Sequence, residues 1–465
     1  MIHRIKHLII AVLLLKGLAC VAQQKSDFKV PPYTKFTLAN GLTVYLMEQH
    51  EVPIISLSAI MPAGAIYDGQ KAGLASLTAD GLLFGTKSFT KTQIEEELDF
   101  VGAELNTYSA KEYAGLNAVF TAKDQDKVLN IIKEVLVDPV FNKEEFLKHQ
   151  KRTLTNLGQE KESPGNVINA YWDKFIYGQH VYGNVVNGSP ATVNKLTVND
   201  LSGFYKTNYA PNGSAISIVG DFNTKVLKSK LERLFSQWKK VNQVTKSLAS
   251  EPLNPLNSPR VLLVNKEDAS ETTFLIGGTG IRRDNPDYVA ITVINTVLGG
   301  RFTSLLNDEL RVNSGLTYGA RSSFTPLKNA GTFSISTFTA NKNTEKAIDK
   351  ALEVYTKFQK EGFDEQMLIS AKNYVKGLFP PRYETSGQLA GLLTQMFWYG
   401  FNESYINNFQ ANVDGLTNAK VKEITAKYFP KENLQFVLIG KSAEIRKIAE
   451  KYGKVVEKNI KDDGY

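Results

Sequence analysis

The sequence predicts a duplicated α+β fold: two similar units of about 215 residues, each a mostly antiparallel sheet with helices packed on it. Three observations carry this. An order of strand, strand and glycine-terminated helix runs through residues 42–85 and returns at 262–300. The closing elements recur as well: Phe204-Tyr205-Lys206-Thr207-Asn208-Tyr209-Ala210-Pro211, an apolar strand and Gly220 are answered by Ile424-Thr425-Ala426-Lys427-Tyr428-Phe429-Pro430, an apolar strand and Gly440. Between the copies lies a stretch with Pro252, Pro255 and Pro259, which favours an extended, semi-rigid connection.

Taken in order, residues 33–38 and 42–47 alternate as strands, and Asn40-Gly41 between them is a strong hairpin signal. Residues 54–61 form a third strand, leading through Pro62-Ala63-Gly64-Ala65 into a helix-period segment at 73–84. Residues 92–101 read as an amphipathic helix, 102–120 as paired strands, and 124–137 and 143–157 as helices. In the second copy, strands at 262–264 and 271–278 precede a helix over 290–298 that stops at Gly299-Gly300. Tyr177-Gly178 and Tyr399-Gly400 open the segments that lead into the closing elements. The organisation expected is 1–22 as a signal peptide, 30–245 as the first domain, 246–259 as linker and 260–457 as the second domain. Two such halves can face each other as a clamshell.

A chain of 465 residues is too long for one core, and 42% hydrophobic with 22% charged content is that of a globular protein. The formal charge of +8 includes Arg4, Lys6 and Lys16 near the N-terminus. With Lys and Glu interspersed elsewhere and no basic block with interleaved aromatics, no nucleic-acid partner is expected. The N-terminus itself has the pattern of an export signal: a basic His3-Arg4-Ile5-Lys6-His7, an apolar run from Leu8 to Leu15, and small residues at Gly17, Ala19, Cys20 and Ala22. Cleavage after Ala22 fits a small-x-small site, and the run is too short to span a bilayer. A periplasmic destination follows, with lipidation at Cys20 as the alternative. Cys20 is the single cysteine, so neither an internal disulfide nor a cysteine zinc site can form.

The stretch with most chemistry is Leu310-Arg311-Val312-Asn313-Ser314-Gly315-Leu316-Thr317-Tyr318, preceded by a helical pattern from Gly299-Gly300-Arg301-Phe302. An arginine ending a helix and a tyrosine across a Ser-Gly turn can aim a guanidinium and a phenol at one place. Both groups donate hydrogen bonds and neither ligates a metal, which suits holding an oxyanion. On spacing alone, Arg311 reads as a solvated helix-end cation and Tyr318 as a strand core residue.

With the repeat in view, the sequence resembles the pitrilysin/insulinase family of zinc metallopeptidases, in the short two-domain branch typified by mitochondrial processing peptidase. The marks are Leu74-Ala75, then Leu82-Leu83-Phe84-Gly85-Thr86-Lys87, and the Arg311/Tyr318 stretch. The resemblance implies two homologous domains of the LuxS/processing-peptidase type. It also implies a His-x-x-Glu-His helix, where two histidines bind zinc and the glutamate activates water. Here those positions read Ser76-Leu77-Thr78-Ala79-Asp80, and the third ligand position falls at or beside Asn156. Of five histidines, only His50, His149 and His180 lie beyond the signal, and none has a helix-spaced histidine partner. They read as surface or core-edge residues, so no metal is expected on this chain.

In active members an Arg and a Tyr at the spacing of Arg311 and Tyr318 stabilise the reacting peptide across the cavity. The resemblance therefore implies a non-catalytic subunit of a heterodimeric zinc endopeptidase that degrades unfolded peptides, with zinc held by a homologous partner subunit. A structural or peptide-binding pseudo-peptidase is the alternative, and homodimer formation is left open. An independent hydrolase using Ser76 lacks a base at helix spacing. Residues 102–109 match the family's substrate-adding edge strand, with Asn106 retained and Thr107 departing from the usual alanine.

Overall fold

The computed structural model describes residues 28–241 and 251–465. The expected signal segment with Cys20, and residues 246–250 of the expected linker, lie outside the described residues. The chain folds as two six-stranded mixed sheets with helices packed on them. The first is built from β1 (Thr34–Thr37), β2 (Thr43–Glu48), β3 (Ile54–Met61), β4 (Glu104–Ser109), β5 (Ala114–Thr121) and β6 (Ala215–Gly220), in spatial order β1-β2-β6-β3-β5-β4. The second uses β7 (Arg260–Asn265), β8 (Glu271–Thr279), β9 (Ala320–Pro326), β10 (Gly331–Ala340), β11 (Gln435–Gly440) and β12 (Lys454–Asn459), in order β12-β7-β11-β8-β10-β9.

Five of the six positions, from β2 to β4 and from β7 to β9 across the sheets, correspond. Each has a parallel pair, β2 with β6 and β7 with β11, beside antiparallel neighbours. Both β6 and β11 are wholly buried, which explains why Ala215–Gly220 and Gln435–Gly440 are nearly continuous apolar runs. The outer strand breaks the symmetry. β1 arrives from the N-terminal side and pairs antiparallel with β2, whereas β12 arrives from the C-terminal side and pairs parallel with β7.

Five helices position the regions discussed below: α1 (Leu74–Gly81), α2 (Lys143–Glu160), α3 (Pro164–Tyr177), α4 (Tyr288–Asn295) and α5 (Ser386–Tyr399). Two of them are exchanged. Helix α3, from the first half, lays Val167, Ile168, Tyr171 and Trp172 against Leu262, Leu275, Val437 and Ile439 of the second sheet. Helix α5, from the second half, lays Leu389, Ala390 and Leu393 against Tyr45, Ile60 and Val219 of the first. Ser217 of β6 donates to the Ala390 carbonyl at 2.7 Å within that contact. Each fully buried Leu or Val contributes roughly 1.5–3 kcal/mol, so separating the halves would expose an apolar face on both sheets.

A buried carboxylate joins the halves at a second place. Glu112, in the β4–β5 turn, accepts from the Tyr182 hydroxyl at 2.5 Å and from the Lys328 backbone N–H of the β9–β10 turn at 3.0 Å. Burial pushes the Glu112 carboxyl up from its ordinary range, while these donors pull it down. Glu112 and the exchanged helices therefore tie the two halves of the chain together. One helical stretch, Tyr288–Asn313, has the length and composition to cross a membrane, but 56% of its apolar window is buried, as in the core helix it forms here.

Candidate functional site

Helix α1 holds the positions where zinc ligands are expected. Its N-terminus is fixed by Asp68, whose carboxylate accepts from the Gly73 N–H at 2.9 Å and the Ala75 N–H at 2.8 Å. Both oxygens thereby satisfy N–H groups at the start of the helix that have no partner within it. Burial pushes the Asp68 carboxyl up to about 8 against those donors. Ser76 and Asp80 are partly exposed one turn apart, while Ala79 is buried.

Packing of α2 beside α1 brings His149 to Asp80, with Nε2 2.9 Å from Oδ2. The partner of His149 lies on another helix, where no spacing rule within one helix finds it. Arg152 Nη2 lies 2.8 Å from His149 Nδ1. A guanidinium only donates, so Nδ1 accepts and Nε2 carries the proton that Asp80 receives. The His149 ring also packs on Phe84, 5.3 Å between centroids. Asn156 is exposed on the same helix.

These donors do not fit zinc. One carboxylate is engaged by an N–H, the imidazole's remaining nitrogen faces a cation, and Ser76, Ala79 and Asn156 supply no strong ligand. No group of three metal-ligating side chains occurs among the described residues. Nor does Ser76 hydrogen-bond His149, so no nucleophile and base are paired there.

Arg311 and Tyr318 are brought together. A short helix, Leu305–Asn307, widens into a π-turn over Asp308–Asn313, which buries Leu310 and turns Arg311 outward. Such turns recur at functional sites. Gly315, at φ +59°, lets the chain reverse, and the Leu316 N–H returns to the Leu310 carbonyl at 2.8 Å. Strand β10 then pins the loop. Thr339 Oγ1 donates to the Leu316 carbonyl at 2.6 Å and Thr337 Oγ1 to the Gly319 carbonyl at 2.8 Å.

Between these pins Tyr318 stands out, 74% exposed, two residues before β9 begins. It is thus not a core residue of the strand. The Arg311 guanidinium carbon lies 4.5 Å from the Tyr318 ring centre and 4.7 Å from that of Phe302, itself 65% exposed. Exposed cation–π contacts contribute about 0.5–1 kcal/mol each, enough to orient the guanidinium and too little to bury it. Among the described residues neither the guanidinium nor the phenol has a hydrogen-bond or ion-pair partner. All their donors remain available. Sequence reasoning missed Phe302, Thr337 and Thr339; an apolar residue directly after Gly299-Gly300-Arg301 was the available signal for the first.

Asn106 lies on β4, the outermost strand of the first sheet, directly across from Asn117 of β5. Its side chain is exposed, and the strand's outer edge is open to another strand. It sits on the first half, a different element from Arg311 and Tyr318.

The fold and these sites define a class: a two-domain metallopeptidase-type chain whose metal-binding positions have lost their ligands. The chain belongs to the insulinase family, peptidase family M16. Residues 43–185 match the insulinase (peptidase family M16) model and residues 195–375 the peptidase M16 inactive domain. An uncharacterized zinc protease of Rickettsia felis is 25% identical over 341 residues, 73% of this chain and 81% of the relative. A non-peptidase homolog, YmxG, of Helicobacter pylori is 23% identical over 80% of this chain and 89% of its own length. Among solved structures, a peptidase M16 inactive domain from Pseudomonas fluorescens superposes with a TM-score of 0.82 at 25% identity, covering 88% of this chain and 98% of that one. A protease from Helicobacter pylori has a TM-score of 0.81 at 18% identity, over 88% and 100%.

Proposed function

We propose that this chain is the non-catalytic subunit of an exported, heterodimeric zinc metalloendopeptidase that degrades unfolded peptides. Its role is to supply Arg311 and Tyr318 in trans to the zinc site of a homologous His-x-x-Glu-His partner. The observation that carries this reading is the pairing of a half-buried Arg311 with an exposed Tyr318, every donor unspent among the described residues, on a loop pinned from β10. Facing a partner's metal centre, the guanidinium and phenol would donate to the peptide oxygen that gains charge as the bond is attacked. The interlocked halves support the same arrangement, since a chamber for peptides then forms between two chains.

A second reading, a peptide-binding or structural pseudo-peptidase, is favoured by the non-peptidase homolog among the relatives. Reconstitution separates the two. The chain would be mixed with a homologous chain that carries His-x-x-Glu-His, and cleavage of an unstructured quenched peptide followed against complex formation by size exclusion. Activity that appears only in the complex supports the enzyme reading. A complex without a gain in rate supports the pseudo-peptidase.

A further inference from the structure

We infer that the groove between the first sheet and helix α5 binds an extended peptide, with a cationic residue at its mouth beside Glu51 and Glu384. Two cavities of about 370 and 620 Å³ join there, sharing Ser56, Val119 and Gly387 in their walls. Both volumes are in the range of ligand sites. The groove lies on the first half, requires no second subunit, and is independent of the reading of Arg311 and Tyr318.

The lining departs from that of an interface packed only for stability. Ser56 is 4% exposed, faces the groove, and its hydroxyl has no partner among the described residues. The hydroxyl opens into the groove with its donor and acceptor capacity unspent by the protein, so a polar group bound there can take it up. Helix α5 presents Gly387 and Gly391 to the same space. A Cβ on Gly391 would meet nothing within 4 Å, and one on Gly387 only Ser56 Oγ at 3.7 Å. Close packing therefore demands neither glycine, although glycine within a helix is destabilising relative to alanine. Their effect is to keep the groove open.

The chemistry of the walls selects the ligand. The inner part carries hydroxyls and carboxamides, from Ser56, Asn117, Thr394 and Gln395, beside apolar Ile60 and Val119, and no charged side chain. Neutral donors and acceptors interleaved with apolar groups fit a main chain that offers an amide every ~3.3 Å. The outer part adds Glu51 and Glu384 with Val52 and Ile54. Neither carboxylate has a cation partner among the described residues, so a lysine, arginine or free amine is the complement. Asn106 lies across from Asn117 on this same face, which extends the surface to the sheet edge.

The test uses the isolated full chain and a fluorescein-labelled unstructured decapeptide with two lysines at one end and Gly, Ser, Thr and Val elsewhere, followed by anisotropy. Gly391→Leu is expected to weaken binding at least tenfold with Tm unchanged or raised, and Ser56→Val to weaken it several-fold. The double change Glu51→Gln with Glu384→Gln should weaken the lysine peptide and leave its glutamine counterpart unaffected. The proposal is overturned if wild type fails to bind up to about 1 mM, or if Gly391→Leu and Ser56→Val bind within twofold of wild type.

Discussion

The Arg311 guanidinium lies over the Tyr318 ring at 4.5 Å, and both side chains reach solvent with no other polar partner among the described residues. A stability role would have given the guanidinium a carboxylate or a carbonyl. Tyr318 and Phe302 stand exposed on either side of it.

The orientation of Arg311 depends on Phe302 beneath it and on Thr337 behind the loop. Phe302→Ala and Thr337→Val are expected to lower the turnover of the reconstituted complex about two- to fivefold while leaving subunit affinity within twofold, read by steady-state kinetics and titration of the partner. Loss of an exposed cation–π contact, about 0.5–1 kcal/mol, sets that scale.

Glu112 should be a main tie between the halves. Glu112→Gln removes charge-assisted hydrogen bonds from Tyr182 and Lys328, which are worth about 1.5–3 kcal/mol together with the cost of any donor left unpaired. Urea unfolding of the isolated chain should show that loss. A change below about 0.5 kcal/mol would mean that the exchanged helices alone hold the halves.

Asp68 gives a pH dependence with a defined sign. Its carboxyl stands at about 8 in the fold, above the usual unfolded value of about 3.9. Folding then takes up a proton, and this group's contribution to stability falls as pH rises from about 4 to about 8. Asp68→Asn removes the titration. The Tm advantage of wild type over Asp68→Asn is therefore expected to be larger at pH 5 than at pH 8, by thermal melts. An advantage that grows with pH would show the backbone donors holding the carboxylate charged.

Zinc should leave the isolated chain unchanged. A ligand bound only to the native state raises Tm, whereas Asp80, His149 and Arg152 satisfy one another. Tm with added zinc and with chelator should agree within about 1 °C. Chelator should abolish turnover only in the complex with a zinc-bearing partner.

Much of the fold was legible because it rests on local signals. Asn40-Gly41 did form the β1–β2 turn, with Gly41 at φ +89°. Tyr177-Gly178 and Tyr399-Gly400, seen as a repeat, end the two exchanged helices, each glycine in the positive-φ region. The exchange itself was not legible, since helical periodicity shows that a face is apolar and says nothing of which sheet covers it. The parallel outer strand β12 was hidden for the same reason. At the site, the spacing of Arg311 and Tyr318 was readable, while the π-turn that presents Arg311 and the threonines of β10 that pin the loop depend on tertiary contacts. The meeting of Asp80 with His149 likewise joins residues on separate helices.

The supply of Arg311 and Tyr318 in trans is read from kcat for an unstructured peptide at saturating partner, with Tyr318→Phe and Arg311→Ala compared with wild type. A transition-state donor predicts a fall of about 10²–10³ in kcat, with KM and subunit affinity nearly unchanged. Turnover within about twofold of wild type for both variants, in complexes shown to form, would contradict it.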